Sequence, residues 1–216
     1  MRARALVIIA AGLAAGAACR SLEPVLVHVD MPGVSPFPPG AFAEVVVMEF
    51  RNEAPLADLD VGRELQAYLA EGLRRAFRGT VSLQPRPETD APAPSFWKAA
   101  AGGRERLVFL AGSVRLTSEV RKALKGEKIP IDAPFDAAKH SLIEQLRWTL
   151  VVDLAVISGD SGESLFARVF REDRDYIDLE KPADFAFSDT SAVFRERLFQ
   201  AFLGAPTIEK RSLLRR

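Results

Sequence analysis

Cys19 is the only cysteine of the 216-residue chain, and the residues before it give its thiol a setting. Arg2 and Arg4 precede an uncharged run from Ala5 to Ala18, and Gly16, Ala17 and Ala18 stand directly before the cysteine. A basic start, an apolar middle and a small-residue end are the order of a secretory signal. A lone cysteine excludes an intramolecular disulfide, and a cysteine-based zinc cluster within one chain. Elsewhere the reactive side chains do not converge. His28 in Val-His-Val and His140 in Lys-His-Ser are isolated, whereas a zinc site takes three or four ligands at recognisable spacing. Glu172, Asp173, Asp175, Asp178 and Glu180 are close in sequence but lack the ligand spacing and turn glycine of a calcium loop. A solvated charged segment over Arg171–Lys181 accounts for them. Gly102-Gly103 leads into Arg104, without the Lys-Ser/Thr of a phosphate cradle. The expectation is a protein that is not an enzyme and holds no metal or cofactor.

Two short strings resemble known motifs. A cysteine set directly behind small residues resembles a bacterial lipobox, with Gly16 where an aliphatic residue is usual. That resemblance implies that residues 1–18 are removed and that Cys19 becomes the lipidated first residue, carrying diacylglycerol through a thioether. An ordinary secretory signal and an uncleaved anchor are the competing readings. The apolar run is shorter than the roughly 20 residues of a membrane-spanning helix, and Arg20 and Glu23 follow it. Gly159-Asp160-Ser161-Gly162 matches the nucleophile tetrapeptide of chymotrypsin-like proteases. Glu163 follows where that family has a second glycine, and neither histidine stands in Ala-His-Cys. A triad is recognised by geometry and roles, and glycine, aspartate and serine are also what a tight turn requires. The turn is the reading adopted.

Charge is balanced, 29 basic against 29 acidic side chains, which argues against a nucleic-acid partner. Pro24, Pro32, Pro36, Pro38 and Pro39 make residues 19–41 an extended tether, with an edge strand at Val25–Val29 as the alternative. A buried strand is expected at 43–50. Residues 61–78 read as a helix, with Val61, Leu65, Leu69, Leu73 and Phe77 on one face. Asp58 or Asp60 would cap its start, and Gly79 would form a left-handed stop. Thr80–Gln84 reads as a strand and Ser95–Lys98 as a helical turn ended by Gly102-Gly103. Phe96 and Trp97 on that turn read as a lid on the core, or second as a partner contact. Strands are expected at 106–118, 146–157 and 163–172. In the second, Trp148, Leu150, Val152, Leu154 and Val156 face opposite to Arg147, Thr149 and Asp153. A long charged connection spans Lys122–Ser141. A last helix is expected at 189–203, capped by Ser188 or Asp189 and stopped by Gly204 and Pro206.

This order predicts one α/β domain over 42–204, a two-layer sandwich with a mixed, mostly antiparallel sheet of four to five strands and two helices on one face. Residues 205–216 read as a flexible basic tail. The other sheet face must be polar or covered by something else.

Three pieces, in order, resemble a group of envelope proteins that includes LPS-assembly lipoproteins, curli-secretion lipoproteins and TolB amino-terminal domains. They are Val45–Asn52 with Gly62 and the following leucines, Leu110-Ala111-Gly112-Ser113-Val114, and Leu150–Phe166. The resemblance implies a lipid-anchored outer-membrane protein facing the periplasm that assists a barrel partner. Cys19-Arg20-Ser21 departs from the Cys-Gly-Tyr typical of the LPS-assembly members. Auxiliary lipoproteins of ABC-type transport systems share the strand–helix opening and imply a transporter subunit as partner. A periplasmic lipid or glycolipid carrier is a further alternative.

Overall fold

The computed structural model describes residues 23–31, 35–38, 40–89, 92–124, 142–204 and 207–215. Cys19, His140 and residues 125–141 lie outside them. The elements are β1 (Glu23–Met31), β2 (Glu44–Met48), β3 (Arg51–Asn52), α1 (Val61–Ala76), β4 (Thr80–Gln84), α2 (Pro94–Ala101), β5 (Leu107–Leu124), β6 (Leu142–Ser158), β7 (Ser164–Tyr176), α3 (Ala183–Leu203) and β8 (Thr207–Arg215).

The Val45-Val46-Val47 run makes β2 a strand buried on both faces. It pairs in parallel with β4 on one side and β5 on the other. β5, β6 and β7 follow by antiparallel pairing, so the sheet runs β4-β2-β5-β6-β7, with β3 beside β5. This is the expected mixed α/β sheet, with six strands in place of four or five.

Strand alternation divides the apolar residues between two cores. Val45, Val47, Val108, Leu110, Leu150, Val152 and Leu154 face α1 and α3, where Leu65, Leu69, Phe194 and Leu198 meet them. Val46, Met48, Leu107, Phe109 and Ile157 face the other way, onto Trp97 and Ala101 of α2. The expected pair of helices therefore covers one face, and a third, short helix covers part of the other. Phe96 and Trp97 separate: Trp97 is 3% exposed and packs against Phe109 with tilted rings, centroids 5.0 Å apart, whereas Phe96 is 39% exposed. Adjacent helical positions point about 100° apart, so one of the two forms the lid and the other stays outside.

Several boundaries differ from the sequence reading. Asp60 caps α1, its Oδ1 accepting from the Arg63 N–H at 3.2 Å. Gly79 is not a left-handed stop, because the cap falls at Phe77 in extended backbone. A Cβ on Gly79 would lie 2.2 Å from the Ala43 carbonyl oxygen, so the glycine serves the close approach that starts the β2–β4 pairing. β7 runs on to Tyr176, through residues expected as a solvated charged segment, because its alternate charges leave to opposite faces of the sheet. α3 begins at Ala183, six residues before the expected start. Ser188 and Asp189, expected as the cap, lie inside the helix, and the next two residues, Thr190 and Ser191, are buried and donate their hydroxyls to the Ala186 and Phe187 carbonyls. Asp189 instead accepts from the Tyr176 hydroxyl at 2.9 Å.

The backbone over 207–215, expected as a tail, is strand β8 and pairs antiparallel with β1, with Glu23 opposite Arg215 and Met31 opposite Thr207. β1 takes the strand alternative that Val25–Val29 left open. The proline-rich stretch also touches the domain. Ser35 Oγ donates to the Phe202 carbonyl at 2.7 Å, and the Phe37 ring meets Phe42 and Phe202 edge-on at 4.9 and 5.6 Å.

Candidate functional site

β5, β6 and β7 send their even-numbered apolar residues into the helix core, so their odd-numbered residues form the opposite face. Beyond α2 no described helix covers that face, here called the open face, and pairing sets its residues in rows across three strands. Glu119, Arg147 and Asp175 make one row. Thr117, Thr149 and Asp173 make the next, then Arg115, Val151 and Arg171, then Ser113, Asp153 and Val169. Ala111, Ala155 and Ala167 close the series against the α2 end.

The charges on this face are tied to one another. Arg147 holds Asp175 by two bonds of 2.6 Å each. Thr149 Oγ1 donates to Asp173 Oδ1 at 2.6 Å, and Arg171 reaches both Asp173 oxygens at 3.2 Å. The Arg147 bonds hold the Asp175 carboxyl below its ordinary pKa, and Arg171 with Thr149 does the same for Asp173. Ser113 and Arg51 likewise lower Glu53. These charge-assisted bonds favour the ionised form of Asp173 and Asp175.

At the α2 end the face deepens into a cleft of about 380 Å³. Trp97, Ala155 and Ile157 form its apolar side; Arg51, Arg86 and Asp153 are among its charged residues. Gly112 lies in the same wall. A Cβ there would fall 1.8 Å from the Asp153 carbonyl oxygen, so only a bare backbone lets β5 and β6 keep their register at this point.

The residues that could do chemistry are kept apart. Ser161 sits in the β6–β7 turn, where its Oγ accepts from the Glu163 N–H at 3.2 Å and Gly162 stands at φ 71° against Pro94. That is the turn reading of the tetrapeptide. His28 lies in β1, opposite Lys210 in β8. The acidic run is split by strand alternation: Glu172 faces α3, Asp173 and Asp175 face the open side, and Asp178 Oδ1 accepts from the Glu180 N–H at 3.0 Å. Among the described residues no group of acids, histidine or cysteine is placed to hold a metal ion. None of the described helices is long and apolar enough to cross a membrane. The sequence had left this second face as polar or covered by something else, and the alternation of 146–157 had already separated its two sides; which residues share its rows was not legible.

Glu172 is buried against Arg197 at 2.7 Å. Burial is the larger influence and raises its carboxyl above the ordinary 4.5, with Arg197 opposing. A raised acid binds its proton more tightly folded than unfolded, so its ionisation lowers stability as pH climbs through that window. Asp173 and Asp175 act with the opposite sign: their contribution is present above their unfolded pKa and is lost on acidification. In urea unfolding from about pH 4 to 7, the stability difference between Glu172→Gln and wild type should shift in favour of the variant as pH rises. A shift in favour of wild type would show that Arg197 outweighs burial.

No protein-family profile and no curated protein matches the chain. Solved structures do resemble it. The PelC dodecamer of Paraburkholderia phytofirmans is 14% identical, over 83% of this chain and 98% of that one, with a TM-score of 0.44. Lipoprotein GNA1162 from Neisseria meningitidis is 13% identical, over 72% and 97%, at 0.35. Lipoprotein B from Nitrosomonas europaea is 10% identical, over 74% and 81%, at 0.36. Bacterial lipoproteins are thus among the structures this chain is similar to. At these values the likeness gives the chain neither a family nor an activity.

Proposed function

We propose that this chain is a lipid-anchored module of the cell envelope, without catalysis, that binds a protein partner through the open face of its sheet. The observation that carries the reading is the β5–β6–β7 surface that no described helix covers beyond α2, where paired charges and hydroxyls replace the apolar residues of the helix side. Such a face suits a polar, hydrated protein contact. It does not suit a lipid carrier, which needs a roomy apolar cavity; the cleft beside it has charged walls. Anchoring rests on Cys19 behind its signal-like segment. The resemblance to LPS-assembly lipoproteins makes an outer-membrane barrel, met from the periplasmic side, the first partner to test. A transporter subunit of an ABC-type system is the second.

Full-length protein recovered in mild detergent from its own membranes should bring down a barrel or transporter subunit in near-stoichiometric amount. The double variant Arg115→Glu, Thr117→Arg changes only exposed residues of the open face. It should keep its fold by circular dichroism and lose at least about tenfold of that partner. Equal recovery with the variant would remove the open face from the reading. Wild type repeatedly recovered alone would remove the partner.

A further inference from the structure

The two edges of the sheet differ. β4 is five residues long, between Gly79 and Pro85. β7 is 13 residues long and pairs with β6 alone among the described strands. Short length, proline and charge are the usual protection against pairing with another chain; β7 is long and free of proline, and its six charges are three of each sign, of which only Glu172 is buried. Its sequence, Ser-Leu-Phe-Ala-Arg-Val-Phe-Arg-Glu-Asp-Arg-Asp-Tyr, contains no proline, and Leu165 and Val169 are 46% and 60% exposed on it. Besides β6, the edge backbone receives Arg197 Nη1 at the Arg171 carbonyl at 3.5 Å and Ser164 Oγ at the Phe166 carbonyl at 3.2 Å.

We infer that β7 pairs antiparallel with β7 of a second copy of this chain, about a two-fold axis at Phe170. Charge selects both the occupant and the register. With the axis at Phe170, Ser164 lies opposite the second copy's Tyr176, so all 13 residues pair. Arg168 then falls opposite Glu172, Val169 opposite Arg171 and Phe166 opposite Arg174, and no like charges meet. Moving the axis to Arg171 sets Arg171 against itself and Arg168 against Arg174. Moving it to Glu172 sets Glu172 against itself. Directly opposed like charges destabilise a strand pair and opposite charges stabilise it. The register of greatest length on its two neighbours' side is thus also the one free of repulsion. The helix layer accepts it as well. α3 packs over β6 and β7, so the two α3 helices would lie about 10 Å apart, two strand spacings, which is a normal distance for packed helices.

The β7 edge borders the open face and shares Val169 and Arg171 with its rows, but the substitutions differ: Arg168 lies among the even-numbered residues of β7, whereas Arg115 and Thr117 lie on β5, so dimerisation and partner binding are tested separately. The test uses the full chain carrying Cys19→Ser, which has no other thiol. Sedimentation over about 1–100 μM should show a monomer–dimer equilibrium. Spin labels placed at Val169→Cys and, in a separate sample, Leu165→Cys report the register. Positions 169 of the two copies should be offset by about 7 Å along the strands and positions 165 by about 34 Å, so the first pair should give the shorter distance by far. Arg168→Glu should weaken the dimer about tenfold or more, since two attractive pairs become repulsive. A monomer throughout the range, similar distances for both labels, or a dimer indifferent to Arg168→Glu would each overturn the inference.

Discussion

Replacing Cys19 with serine is expected to transfer the chain almost completely from the membrane fraction to the soluble one. Serine has nearly the shape of cysteine, but its oxygen does not form the thioether that would carry diacylglycerol. Each acyl methylene buried in a bilayer contributes about 0.8 kcal/mol, and stable attachment needs more than one chain or signal. Loss of the whole anchor should therefore change partition by orders of magnitude. None of the described helices is long and apolar enough to span a membrane. Fractionation after an alkaline wash, with mass spectrometry of the amino-terminal peptide, reads the effect. Unchanged membrane retention by Cys19→Ser, or an unmodified position 19 in the wild type, would end the anchoring proposal.

Phe194→Ala should cost about 3–5 kcal/mol of folding stability. Phe194 is fully buried in the core between the sheet and α3 and meets the Phe170 ring edge-on at 5.1 Å. Truncation loses the transfer energy of the ring and leaves a cavity beneath a helix held from both sides. For a chain of this size the melting temperature should fall by roughly 10 °C. Phe185→Ala, at a site 48% exposed on the same helix, should change it far less. Urea titrations of the two variants side by side make the comparison. A loss below about 1 kcal/mol at Phe194 would mean that α3 is not bound to the sheet through this ring.

Much of the framework was legible because it is written in neighbouring residues. The leucines of α1 recur at helical spacing, and Asp60 stands where a cap belongs. The apolar series Trp148 to Val156 alternates with a face that carries Arg147, Thr149 and Asp153, and the turn after Ser158, with Gly159 and Gly162, returns the chain as a hairpin. The boundaries that failed lie where tertiary contacts reverse local preference. Glu172 sits among charges that suggested a solvated segment, yet strand alternation turns it under α3, where it is buried and pairs with the exposed Arg197. Asp189 looked like a cap, but Tyr176 and Arg174 hold it mid-helix. Phe96 and Trp97 are adjacent in sequence and separate in burial because α2 presents only one of them to Phe109.

The amino-acid order by itself determined where strands and helices begin to be favourable, that one face of β6 is apolar, and that the only thiol follows a signal-like segment. Periodicity and composition are properties of consecutive residues, so they need no fold to be read. The tertiary structure decided which faces are covered, that α2 closes only part of the second one, and that Glu119, Arg147 and Asp175 stand in one row while Arg115 and Arg171 flank Val151. Those placements depend on register between strands far apart in the chain, where a shift of one residue would send every side chain to the opposite face.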